Sequence, residues 1–280
     1  MTQTEPRWVD QAAESMDARF SAVHPWPWRQ GLWTTIRTDY SKRAVPPGFD
    51  VRIVEAAGAR RRLLLCEGSG TPLLILVGLY ASLDEGLFTD LAVLAAKAGR
   101  RVALLEDRLG GPTLALSGGE VPGLAQQARE LVAIAESFGQ KPDVLALSAG
   151  VPVALTASAA LARIVGWSGA VDPVATARTV ARNPVLHRYY QGVHRRAFAR
   201  AGLTPPPIED TQRRLMADAV PATSKCPFLL VHAGSDPVAP VSAVQAYASA
   251  AVGRVVTTAV GGHLGFGVVL GNGIYLEPLT

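Results

Sequence analysis

The chain has 280 residues, 49% of them hydrophobic and 18% charged, with a formal net charge of +4 and a pI near 9.3. That composition excludes a disordered chain and leaves room for a substantial core, in one large α/β domain or two small ones. The basic residues are scattered apart from one segment and form no aromatic-and-basic nucleic-acid motif, so no nucleic-acid partner is expected. No apolar run reaches the roughly 18 residues of a membrane span, and no metal-ligand spacing appears. The polar N-terminus shows no signal peptide, so a cytoplasmic protein without stable membrane insertion is expected. Cys66 and Cys226 lie in apolar, strand-like runs and read as buried thiols, not as a disulfide or a metal pair.

Residues 1 to about 20 are polar. The segment Phe20 to Ile36 is dense in proline and tryptophan, with Pro25-Trp26-Pro27-Trp28 at its centre. Regular structure is excluded there. The segment up to about residue 48 is expected to wrap the domain and insert its indoles into grooves; an aromatic wall for a substrate is the alternative. From Asp50 the pattern turns to strands. Val51–Ile53 and Arg61–Cys66 suit a hairpin across Ala57-Gly58. Leu73–Val77 is wholly apolar between Pro72 and Gly78, as a central strand would be. Leu87–Lys97 is helical, with Phe88, Leu91, Leu94 and Ala95 on one face. Arg101–Leu105 is the next strand and Leu124–Phe138 the next amphipathic helix.

Val144–Leu147 is a short apolar run suited to a strand buried on both faces, and Ala149–Leu161 reads as helix. Ile164–Trp167, Phe228–His232 and Val255–Ala259 are further strands, the last two separated by a helix over Val241–Ala251. Strands alternating with helices predict right-handed β-α-β units and a mostly parallel twisted sheet flanked by helices, in a single domain. Residues of about 174–225 match no strand. They read as a small helical cap broken at Asn183-Pro184 and at Pro205-Pro206-Pro207. Between Val174 and Ile208 the insert holds Arg178, Arg182, Arg188, Arg195, Arg196 and Arg200 and no acid. This is either a solvated helix face or an anion-attracting cap for a phosphate-bearing substrate.

A parallel sheet places its site at the carboxyl ends of its strands. Ser148 sits at one such end, within Ala146-Leu147-Ser148-Ala149-Gly150, between a buried strand and a helix and among small neighbours. That context suits a nucleophile elbow, whose usual pattern is G-x-S-x-G. A helix N-cap serine is the plain alternative. Asp236 follows Phe228–His232, and His263 follows Val255–Ala259. The order serine, aspartate, histidine is the one used by hydrolases that place each residue at a strand end. A serine hydroxyl is a weak nucleophile and needs a base, here His263, held in the right tautomer by Asp236. The backbone amides of Ala149 and of Leu79 would bind the oxyanion, each contributing about 3 kcal/mol. Asp172, after Ile164–Trp167, is a rival acid. Asp107-Arg108 reads as an ion pair in a turn, and His24, His187, His194 and His232 read as non-catalytic.

On these stretches the chain resembles the α/β-hydrolase superfamily, and within it the YheT-like hydrolases, kin of the plant embryogenesis-associated esterase-like proteins. Phe20 to Ile36 is similar to that family's proline- and tryptophan-rich entry segment. Val77-Gly78-Leu79 stands at its H-G-x, Ser148 at its nucleophile, and Gly261-Gly262-His263-Leu264-Gly265-Phe266 at its G-G-H-x-G-F. Three positions depart: Val77 replaces a histidine, and Ala146 and Val151 replace glycines. The sequence also leaves no room for a full terminal helix after His263. The resemblance implies hydrolysis of an acyl or lipid-like carboxylic ester; no cofactor and no metal are expected. A thioesterase or acyltransferase working on a carrier-bound acyl group is the alternative within enzymes. A non-catalytic ligand-binding protein on the same fold is the alternative outside them. The expected partner is a small-molecule acyl ester or thioester.

Overall fold

In a computed structural model of the chain, residues 42–249, 253–258 and 262–265 are described. The predicted tryptophan-rich segment and the residues flanking Gly262–Gly265 lie outside them. Ala57 and Gly58 both have positive φ, 49° and 81°, the mirror-image turn whose twist matches that of two flanking strands. It joins β1 (Asp50–Ala56) to β2 (Ala59–Cys66) in antiparallel register. Alanine in the left-handed region costs about 1 kcal/mol that glycine avoids. Ala57→Gly is therefore expected to raise the unfolding free energy by about 0.5–1 kcal/mol, read as a higher urea midpoint at unchanged slope.

Among the described residues eight strands form one sheet in the order β1-β2-β4-β3-β5-β6-β7-β8. These are β3 (Gly70–Leu76), β4 (Arg100–Leu105), β5 (Asp143–Leu147), β6 (Arg163–Trp167), β7 (Phe228–Ala233) and β8 (Gly253–Thr258). The β2–β4 pairing is antiparallel and all pairings from β4 to β8 are parallel. Every residue of β5 and β7 is buried, which is why these strands read as unbroken apolar runs. β3 begins three residues earlier than the Leu73 predicted. A register shift between Gly70 and Leu73 accommodates Pro72, which has no N–H for the ladder.

Side chains alternate across the sheet. Leu73 and Ile75 join Phe88 and Leu91 of α1 (Gly86–Lys97) on one face. Leu74 and Leu76 join Leu131 and Ile134 of α3 (Leu124–Glu136) on the other, together with Leu155 of α4 (Gly150–Thr156) and Val244 of α8 (Val241–Ser249). The six-residue helix α2 (Gly111–Leu116) was not anticipated; it is too short to show a helical period, and Pro stands at its start. The helix after Ser148 is shorter than predicted. It ends at Thr156, and a 3-10 turn covers Ser158–Ala160. The buried Ser158 hydroxyl accepts the Lys225 amide at 2.9 Å there, anchoring the bend into β6.

Three helices lie between β6 and β7 in the chain: α5 (Pro173–Arg182), α6 (Pro184–Arg200) and α7 (Ile208–Leu215). Asn183 separates the first two by capping α6, its side-chain oxygen accepting the Val185 and Leu186 amides. Both cysteines are free thiols. Cys226 is buried, but Cys66, the last residue of β2, is only half-buried, short of the burial expected for it.

Candidate functional site

The turn at Ser148 is as tight as the sequence pattern implies. Ser148 has φ 52°, and its amide donates to Trp167 O of the neighbouring strand. A Cβ at position 150 would lie 2.8 Å from Leu76 Cβ and 3.0 Å from the Val77 carbonyl oxygen, so only glycine fits there. Alanine fits at position 146, fully buried in β5. Val151 fits because glycines face it. A Cβ on Gly166 would come within 3.0 Å of Val151 Cγ2, and one on Gly169 within 2.9 Å of its Cγ1.

Ser148, His263 and Asp236 form one hydrogen-bonded line. His263 Nε2 lies 2.7 Å from Ser148 Oγ, and His263 Nδ1 lies 2.9 Å from Asp236 Oδ2. Asp236 Oδ1 accepts the Val238 and Ala239 amides at 2.8 and 3.0 Å. Burial pushes the Asp236 carboxyl up. The charge and hydrogen bond of His263, the nearby His232 and the Val238 amide outweigh this and hold it below the usual carboxylate range. An ionised Asp236 can only accept, so Nδ1 of His263 carries the proton and Nε2 is free to receive the serine proton. The Leu264 amide donates to Ser168 Oγ at 3.1 Å, which fixes the turn bearing His263. Sequence reasoning missed Ser168; its only signal is a polar residue immediately after a buried strand.

The rival acid is placed elsewhere. Asp172 is exposed and caps α5, its side chain accepting the Ala175 amide at 2.8 Å. His232 is fully buried and keeps below its ordinary pKa, chiefly through burial; its Nε2 donates to Ala239 O. His194 bonds Tyr80 and Pro206 O, and His187 bonds Gln191. His24 lies outside the described residues. Asp107 and Arg108 do not pair with each other, contrary to expectation. Asp107 Oδ2 accepts the Tyr80 amide at 2.7 Å and the Leu109 amide at 3.1 Å, whereas Arg108 reaches Glu120 at 3.3 Å. The two amides take up the Asp107 carboxylate, and the Arg108 guanidinium turns to Glu120 and to Glu130, 3.6 Å away.

Asp107 thereby holds the turn after β3. Within it Tyr80 has φ 66° and the Ala81 amide closes onto Gly78 O. Among the described residues the Leu79 and Ala149 amides donate to no protein acceptor. Both residues line a cavity of about 120 Å³ beside Ser148, walled by apolar side chains including Val153, Val180, Leu215 and Met216. A second cavity of about 240 Å³ also reaches Ser148, lined by Gly78, His263, Tyr189, Arg196, Arg200 and Glu85 among others. Burial raises the Glu85 carboxyl to about 7, against the pull of Lys42 and Arg200. The unfolded chain ionises Glu85 near 4.5 and the folded chain near 7, so its cost to stability is absent below pH 4.5 and complete above pH 7. Glu85→Gln is expected to stabilise the protein by up to about 3 kcal/mol at pH 8 and by almost nothing at pH 4, checked by urea unfolding at both pH values.

The fold has many counterparts among solved structures. The bromoperoxidase from Bacillus anthracis superimposes with a TM-score of 0.60 at 15% identity, covering 82% of this chain and 99% of that one. Mouse alpha/beta hydrolase domain-containing protein 10 gives 0.56 at 14%, covering 82% and 96%. The fold is that of the α/β-hydrolases. An esterase from Exiguobacterium antarcticum gives 0.57 at 14%, covering 78% and 94%. No family model and no curated protein matches the chain. Among the described residues no helix is long and apolar enough to cross a membrane, and no group of three His, Cys, Asp or Glu is placed to hold a metal ion.

Proposed function

We propose that this α/β-hydrolase-fold chain is a serine hydrolase that cleaves a carboxylic ester through an acyl-enzyme intermediate. The observation that carries this reading is the unbroken line from Asp236 through His263 to Ser148, opening between two cavities. Ser148 Oγ attacks the ester carbonyl carbon while His263 Nε2 takes the hydroxyl proton. Asp236 orients the imidazole and stabilises its cation. The carbonyl oxygen becomes an oxyanion, held by the Leu79 and Ala149 amides. Collapse breaks the carbon–oxygen bond to the alcohol, which leaves with the proton from His263. A water molecule then gives a proton to His263 as it attacks the acyl carbon; the carbon–Oγ bond breaks, His263 returns the proton to Ser148 Oγ, and the acid leaves.

The apolar cavity beside the two amides suits an acyl chain. The helices α5 to α7, in the segment of about 174–225, act as the cap over it. The kinship with YheT-like hydrolases belongs to the same proposal, supported here by the turn Gly262-His263-Leu264-Gly265 and its place beside Ser148. A thioesterase or acyltransferase would share the acyl-enzyme and differ in leaving group or acceptor.

The test is intact mass after incubation with a fluorophosphonate. One adduct on the wild type and none on Ser148→Ala is the expected result, followed by turnover of an ester and thioester panel. No adduct on a folded protein would overturn the reading and favour a non-catalytic binding role. The turn after β3 offers a second check. Asp107→Ala leaves the Tyr80 and Leu109 amides without their acceptor. It is expected to lower kcat roughly 10- to 100-fold with a smaller change in KM, because the Leu79 amide loses its position. It should also cost about 2 kcal/mol of stability, and Asp107→Asn, which keeps an acceptor, should recover part of both.

A further inference from the structure

The two cavities that meet at Ser148 differ in chemistry. Only the second is lined by His263. The group that protonates the departing alcohol must lie beside it, so the leaving-group side of a bound ester faces the second cavity and the acyl side faces the first. In the first the walls are mostly apolar. In the second, α6 presents Tyr189, Val193, Arg196, Ala197 and Arg200, residues at helical spacing on one face. Arg196 and Arg200 are exposed at the cavity, and among the described residues neither makes a hydrogen bond or an ion pair. Lys42 lines the same cavity but is engaged by Asp84 at 2.5 Å. Arg195, on the same helix, lines neither cavity.

A second observation points to a ligand there. Glu85 is 6% exposed, lines this cavity, and has one carboxyl oxygen buried without a hydrogen-bond partner. A buried polar atom left unpaired is costly, and Glu85 carries one at the wall of this cavity. Its charged neighbours are Lys42, Asp84 and Arg200, and burial favours its protonated form. Glu85 thus shares the lining of this cavity with Arg196 and Arg200.

We infer that the second cavity receives the leaving group of the substrate, and that this leaving group carries a carboxylate or a phosphate held by Arg196 and Arg200. The inference rests on the acyl-enzyme reading for its orientation. Guanidinium groups suit either anion, since their paired N–H donors match two oxygens of a carboxylate or phosphate. The substrate class is thus an acyl ester of an anionic alcohol, with an apolar acyl chain.

The test uses three butyrate esters that differ only in the alcohol: glycerol, glycolate and glycerol phosphate. Butyrate release gives kcat/KM for each. In the wild type at least one anionic ester is expected to exceed the neutral ester by about 10-fold or more, and which one identifies the anion. In Arg196→Gln/Arg200→Gln that ratio should fall about 10-fold or more, through KM, while Arg195→Gln keeps it. A ratio near one in the wild type, or one unchanged in the double variant, overturns the inference. Calorimetric titration of Ser148→Ala with the same esters reads the anion preference without turnover. Preferential binding of an anionic ester, lost on replacing both arginines, supports the anion site even if no ester is hydrolysed, an outcome that would sink the hydrolase reading alone. Equal or absent binding of all three, with no preference in turnover, overturns the anion site.

Discussion

Ser148→Ala is expected to leave the protein folded and to lower ester turnover by about 10⁶-fold, to the level that binding and oxyanion stabilisation alone sustain. The hydroxyl is small and its loss makes no cavity of consequence. The turn itself is held by the Ser148 amide and by Gly150, neither of which the substitution touches. Alanine at φ 52° is as strained as serine, so the melting temperature should move little. His263 loses one hydrogen-bond partner and keeps Asp236. His263→Ala should cost a similar factor in kcat, and the double variant should be no worse than either single one, because residues acting as one unit are not additive. Additive losses in the double variant would contradict a shared proton path.

The second large effect is expected at Asp236. Asp236→Asn is nearly isosteric and can still accept the Val238 and Ala239 amides through its oxygen. Its amide group then faces His263 Nδ1 and donates to it, which moves the imidazole proton to Nε2. A histidine in that tautomer cannot take the serine proton, and kcat is expected to fall about 10⁴-fold. Labelling of Ser148 by a fluorophosphonate should slow in parallel. Asp172→Asn is the matched comparison, since asparagine caps α5 as well as aspartate does. Its rates should stay at the wild-type level. A loss at Asp172 with none at Asp236 would reassign the acid.

Much of this was legible in the chain because the signals were local. A strand buried on both faces is a run of apolar residues wherever it occurs, so β3, β5, β6 and β7 could be read directly. The serine turn shows itself by the small residues that a sharp reversal needs, and Asp236 and His263 by their places after strands. What could not be read were pairings between distant segments. Nothing near Asp107 announces that it will accept the amide of Tyr80 across the sheet, and its neighbour Arg108 suggested an ion pair that does not form. Ser168 supports the His263 turn only because β6 ends beside it. Helix α2 left no period in its six residues. The side of α6 that bears Arg196 and Arg200 was visible as basic, but not as the wall of a cavity reaching Ser148.

Val151 has a consequence for the history of such a site. Its methyl groups fill the space that a side chain on Gly169 would claim and, together with Leu230 Cδ2, the space beside Gly166. Valine at 151 and glycine at 166 and 169 therefore form one shared volume divided between two segments. Converting Val151 to glycine first opens a void under the serine turn. Adding a methyl group at 166 or 169 first drives it into the valine. Either intermediate is destabilised. Val151 and Gly169 are therefore coupled: a side chain at 169 needs a smaller residue at 151, and a side chain at 166 needs Leu230 to give way as well.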